Sequence, residues 1–190
     1  MIKRGDRKQF KEFVSFIKEN KHKHNQIRLK LNKLIVNEIE LNQKGYNGKT
    51  LLHVAVELKD KKLIQLFINS GVYVDLADNN GAAPLHYAIQ MNRIDLIKIL
   101  IENKADINLG AEMEATPLHY AVAVGNITIV KYLIENGADY NLVDENNLSP
   151  VDYAIDEENI EIMKYFLEKK IIEEKINKIK EILERRKWWV

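Results

Sequence analysis

Three histidines recur at one spacing. His53, His86 and His119 are 33 residues apart, within the similar segments "KTLLHVA", "AAPLHYA" and "ATPLHYA", and a fourth segment, "LSPVDYA", carries Asp152 in the same place. Imidazoles delivered this way could form a metal ladder or a relay of general acids and bases. Distance excludes a shared ion if each ring rides on its own helix. Packed helices lie about 8–10 Å apart, whereas two nitrogens bound to one zinc at about 2.0–2.1 Å can be separated by no more than ~4 Å. The other histidine pair, His22 and His24 in "KHKH", lies in a basic segment without an adjacent carboxylate. That spacing is poor for a metal and reads as a solvated connection. Acidic pairs such as Glu157–Glu158 and Glu173–Glu174 read as solvated helix faces. No glycine-rich phosphate loop, nucleophile elbow or base-flanked carboxylate pair is present. The expectation is no catalytic residue, no metal and no cofactor.

Composition narrows the classes further. The 190 residues contain no cysteine, which removes disulfides, thiol catalysis and thiolate metal sites. The formal net charge is only +1, but it is unevenly placed. Residues 1–44 hold 12 Lys/Arg against 5 Asp/Glu, whereas residues 144–176 hold 4 against 10. One end is basic and the other acidic. The basic start has no apolar core of signal-peptide length, and no apolar run approaches a membrane span. A cytoplasmic protein is expected, or one delivered into another cell's cytosol.

The histidine spacing belongs to a wider period, which has to be settled before any motif is read. All three prolines, Pro84, Pro117 and Pro150, share one phase of a 33-residue register. Ala55, Ala88, Ala121 and Ala154 form a second column, and Asn42, Asp75, Asn108 and Asn141 a third. Thr50, Thr116 and Ser149 suit helix N-caps, with proline next at the first helical position. Ala83 stands in that cap column and should weaken its helix start by about 1 kcal/mol. A second helix follows in "NITIVKYLIENGADYN", where Ile127, Val130, Leu133 and Ile134 share a face and Gly137 can end it.

The stretch "TPLHYAVAVGNITIVKYLIENGADYN" resembles the ankyrin repeat, and the likeness covers residues 45–169. The resemblance implies an all-α ankyrin-repeat solenoid: stacked helix–turn–helix units joined by short β-hairpin-like fingers. It also implies that the recurring histidine is part of a hydrogen-bond scaffold. Departures are Leu51 for proline, Asp152 for histidine, and Lys104 and Lys170 in the glycine column. The expected division is 1–44, an N-terminal helical cap and divergent repeat; 45–77, 78–110 and 111–143, three repeats; 144–176, a degenerate repeat; and 177–190, a C-terminal helical cap and tail. In the first segment Phe10, Phe13, Phe16 and Ile17 should share a buried face. In the last, Ile172, Ile176, Ile179 and Leu183 form an apolar stripe.

What the resemblance implies about function is a non-catalytic protein-interaction module. Its finger tips and concave helix face would meet a protein partner, with the chain itself a monomer. Carried over by column, the finger positions are Tyr46, Asn47 and Lys49; Asn79, Asn80 and Ala82; Glu112, Met113 and Ala115; and Glu145, Asn146 and Leu148. The helix positions are Glu57 and Leu58; Gln90 and Met91; Ala123 and Val124; and Asp156 and Glu157. Met91, Met113 and Val124 would set apolar groups where solvent is expected, the pattern of a contact patch. The alternative is a binder of nucleic acid or anionic phospholipid at the basic end, although the aromatics there fall on the face the pattern buries rather than interleaving for base stacking. The final "RRKWWV" leaves Trp188 and Trp189 as a point of membrane or partner contact, or as part of the cap.

Overall fold

Thr50, Ser149 and the residues of the proline column each start a helix, as the cap chemistry requires. In the computed structural model, which describes residues 4–37, 40–169 and 176–185, the described residues form eleven α-helices and no strand. The chain divides into two compact units, Met1–Asp106 and Ile107–Val190.

In the first unit, α1 (Arg4–Glu19) pairs with α2 (His24–Val36), α3 (Leu51–Glu57) with α4 (Lys61–Asn69), and α5 (Pro84–Gln90) with α6 (Ile94–Glu102). Links of a few residues make the members of a pair antiparallel neighbours. α3 packs on α1 and α5, and α4 on α2 and α6. Phe10, Phe13 and Ile17 of α1 are buried, with Phe13 edge-on to Phe67 at 6.4 Å. Phe16 departs from the expected face: it is half-buried, and its ring carries the Lys30 ammonium 4.2 Å from the centroid. A cation over an aromatic face can stay hydrated while shielding the ring.

The second unit holds α7 (Pro117–Val124), α8 (Ile127–Glu135), α9 (Pro150–Asp156), α10 (Ile160–Glu168) and α11 (Ile176–Arg185). α7 packs on α8 and α9, α10 on α8 and α9, and α11 covers α10 with Ile179 and Ile182 buried. Ile172, Trp188, Trp189 and the side chains of Ile176 and Leu183 lie outside the described residues. Among the described residues, no helix is long and apolar enough to cross a membrane.

The fingers are hairpin-like without being strands. Each is closed by one backbone bond: Gly45 N–H to Lys49 O, Asp78 to Ala82, Ala111 to Ala115, and Asp144 to Leu148. Neighbouring tips within a unit are tied by Asn79 N–H to Asn47 O at 3.1 Å and by Glu145 N–H to Met113 O at 2.9 Å.

The Asn/Asp column acquires a reason here. Asn42 Oδ1 accepts from the Tyr73 N–H at 2.7 Å, Asp75 from Asp106 at 3.0 Å, and Asn108 from Asp139 at 2.8 Å. Each side chain thus satisfies backbone one repeat further along, where no helix ladder can.

After the second helices, Gly71 and Gly137 take φ of 83° and 96°, and Lys104 sits in the same column at φ 70°. A Cβ at either glycine would meet no atom within 4 Å, so backbone conformation rather than space favours glycine. A left-handed non-glycine residue is penalised, and glycine's extra unfolded-state entropy offsets part of the gain. Lys104→Gly should therefore stabilise the protein by roughly 0.5–1 kcal/mol, read from the urea midpoint at unchanged slope. An equal or lower midpoint would contradict this reading of the column.

Candidate functional site

Each helix-opening segment buries its histidine, and both ring nitrogens can be accounted for in His53 and His119. Nδ1 of His53 lies 3.1 Å from the Thr50 backbone nitrogen and 2.9 Å from Thr50 Oγ1, while Nε2 lies 2.9 Å from Ala82 O. His119 repeats this with Thr116 N at 3.1 Å, Thr116 Oγ1 at 2.8 Å and Leu148 O at 2.9 Å. A backbone N–H can only donate and a carbonyl can only accept. Nδ1 is therefore the acceptor and Nε2 carries the proton. The neutral ring joins its own helix start to finger backbone 29 residues ahead. Ala83, lacking a side-chain oxygen, keeps the backbone contact of this arrangement through its N–H to His86 Nδ1 at 3.1 Å. In the fourth segment Asp152 replaces the ring, accepting from Ser149 N at 2.9 Å and Ser149 Oγ at 2.7 Å. Through these two contacts the carboxylate caps the helix start.

Beneath the fingers lies a second polar set that the sequence reading did not single out. Asp78 Oδ1 accepts from the N–H groups of Asn80 and Ala82 at 2.9 and 3.0 Å, and its Oδ2 accepts from Tyr87 OH at 2.7 Å. Asp144 does the same for Asn146, Leu148 and Tyr153. Burial alone would raise these carboxyls, but the donors outweigh it and hold both below the ordinary carboxylate range. Burial and the hydrogen bond to Asp144 push Tyr153 up to about 12. The tyrosine rings also meet the histidines edge-on, at 5.0 Å for His53–Tyr87 and 5.1 Å for His119–Tyr153. The Asp with Asn two residues on in "DNNGA" and "DENNL" is an Asx-turn signal that would have located both carboxylates.

The "KHKH" reading needs correction. His24 does not lie in an irregular connection: it opens α2, and its Nε2 is 2.8 Å from Asp60 Oδ2. The other Asp60 oxygen caps α4 through Lys62 and Leu63. The carboxylate is 36 residues away, beyond the reach of a local pattern. Among the described residues, no group of three His, Asp or Glu side chains is placed to hold a metal ion.

The positions expected to meet a partner differ in what the fold does with them. Tyr46, Asn47, Asn79, Asn80, Gln90, Glu112, Met113, Val124, Glu145 and Asn146 are exposed, with Tyr46 at 86% and Met113 at 47%. Lys49 is half-buried and paired with Glu57, the hydrogen bond holding its ammonium pKa above the ordinary value. Leu148 is half-buried, with its carbonyl bound to His119. Leu58 and Met91 end α3 and α5 half-buried, so Met91 is not the freely solvated group its column suggested. In the second unit Glu112, Met113 and Ala123 gather around a cavity of 240 Å³, which Val124 does not line.

Paired helices strutted by buried side chains, with exposed residues at finger tips and first helices, define a helix–turn–helix repeat protein. The particular class follows from comparison. The chain belongs to the ankyrin-repeat family: the family model described as ankyrin repeats (3 copies) matches residues 21–111 and again 109–179. No curated protein sequence matched. Ankyrin repeats are generally protein–protein interaction modules and typically non-catalytic.

Burial lowers the pKa of His53 and His119 below 6.5, against smaller opposing contributions from nearby carboxylates and the carbonyl bond. The unfolded chain binds more protons once the pH drops below about 6.5. Stability from these rings is therefore complete above that pH and declines as pH falls toward their folded-state values. Melting temperature should fall between pH 7 and 5, before the Asp78 and Asp144 contributions are lost below about pH 4. His119→Ala should cost about 1–3 kcal/mol at pH 7, because the Thr116 N–H loses its acceptor and the Leu148 carbonyl keeps only the Asp144 N–H, and should flatten part of this slope. A pH-independent melting temperature over that range, or a large zinc-induced rise erased by His119→Ala, would contradict the scaffold role.

Proposed function

We propose that this chain is a non-catalytic protein-interaction module that meets a protein partner through its finger tips and the exposed sides of its first helices. The observation that carries this reading is a division of labour. His53, His119, Asp78 and Asp144, the groups best suited to chemistry, are held by backbone amides, carbonyls and tyrosine hydroxyls. The side chains of Tyr46, Asn80, Met113 and Val124, by contrast, stand exposed. The basic N-terminal segment fits nucleic acid less well, because Phe10 and Phe13 are buried and unavailable for base stacking.

A photo-crosslinking amino acid placed singly at Tyr46, Asn80 or Val124, compared with the exposed second-helix positions Gln65, Lys98 and Lys131, tests the reading in cell extract. The expected result is crosslinking to protein from the finger and first-helix positions only. Crosslinks arising mainly from the second helices, or to nucleic acid, would contradict it.

A further inference from the structure

The third finger, in the unit Ile107–Val190, departs from its sister fingers in the same chain at several columns, and the departures converge on one place. Ala111 stands where Asp78 and Asp144 stand. Met113 and Glu114 occupy the columns of Asn47 and Gly48, and both hold left-handed backbone at φ 57°. Ala123 occupies the column of Glu57, Gln90 and Asp156, and Ala115 that of Lys49, which Ala82 shares. In the unit Met1–Asp106 the Lys49–Glu57 pair lies over Tyr87, with the ammonium 5.0 Å from the ring centroid. Over the equivalent Tyr153 lies instead the 240 Å³ cavity, lined by Met113, Ala115, His119, Tyr120, Ala123 and Tyr153.

Stability does not ask for this finger. Asn–Gly adopts left-handed backbone with little penalty, whereas methionine and glutamate do not. Strained residues of this kind persist where another constraint holds them, and methionine is the side chain that adapts best to an irregular contact. The polar ends of His119 and Tyr153 are engaged by Leu148 O and Asp144, which leaves ring carbon to face the cavity. Its volume falls below the roughly 300–1,000 Å³ of small-molecule sites, a size suited to one inserted side chain. Its surroundings are anionic: between Ile107 and Ile160 the only Lys or Arg is Lys131, on α8, whereas Glu112, Glu114, Glu145 and Asp156 are exposed on the fingers and first helices.

We infer that this pocket receives a single aromatic or branched aliphatic side chain from a partner-protein segment in which lysine or arginine flanks the inserted residue. The inference rests on the interaction-module reading and specifies its partner. Buried apolar anchors ringed by complementary charge give both affinity and orientation.

Panning a phage-displayed random dodecapeptide library on the full chain, followed by anisotropy titration of the selected peptides, tests it. Enriched sequences should place a large apolar residue beside Lys or Arg, and their affinity should fall as salt rises. Ala115→Lys with Ala123→Glu transplants the first repeat's ion pair onto Tyr153. It should keep the circular dichroism spectrum and weaken binding by about tenfold or more. Met113→Asn with Glu114→Gly should raise the melting temperature while also weakening binding, and it gives a second readout if the first variant folds poorly. Peptides that bind wild type and both variants equally would overturn the pocket and leave the interaction-module reading standing. Acidic selected sequences, or no enrichment, would overturn it too, and the crosslinking pattern separately decides the broader reading.

Discussion

The hydrogen bond from a buried histidine Nε2 to the carbonyl of the next finger is the contact on which the rest of each unit depends. Ala82 O and Leu148 O already accept the Asp78 and Asp144 N–H groups that close their fingers, and each also accepts from the histidine of the preceding repeat. A buried polar group left unpaired costs about 1–3 kcal/mol, and without the ring the helix-start N–H of Thr50 or Thr116 would be such a group. Imidazole solves this with one planar group. Its far nitrogen reaches the finger, and its near nitrogen accepts the orphan N–H at its own helix start. The two demands require the same neutral tautomer, so one ring sets both the helix entry and the spacing to its neighbour.

The other polar columns serve the same constraint at other places. Asp78 and Asp144 gather finger amides from below, and Asn42, Asp75 and Asn108 reach backbone beyond the second helices. What varies between repeats without harm to the stack is the outer finger and the first-helix surface. That surface is where recognition can be written, because changes there usually move stability by less than about 0.5 kcal/mol.

Much of the fold was legible because repetition turns local signals into columns. One proline at a helix start is weak evidence, and three in one phase are strong. The histidine's scaffold role came from the resemblance to the ankyrin repeat, aided by distances that forbid a shared metal. The His24–Asp60 pair was not, since its partners are 36 residues apart and share no column. Met91 was read as solvated from its position, but as the residue that ends α5 it is half-buried. The left-handed backbone at Met113 and Glu114 was also hidden, because neither residue type advertises positive φ as asparagine or glycine does. The candidate site was therefore legible as a set of columns, whereas the cavity in the third finger arises from what Ala115 and Ala123 fail to fill.

The account turns on the recurring histidines being scaffold rather than chemistry. Nitrogen-15 spectra of the imidazoles across pH 8 to 5 test this directly. The account predicts that His53 and His119 keep the neutral Nε2–H tautomer as the pH falls below 6.5, with no change on adding zinc. Rings that titrate near 6.5, exchange tautomers, or shift with stoichiometric zinc would contradict it.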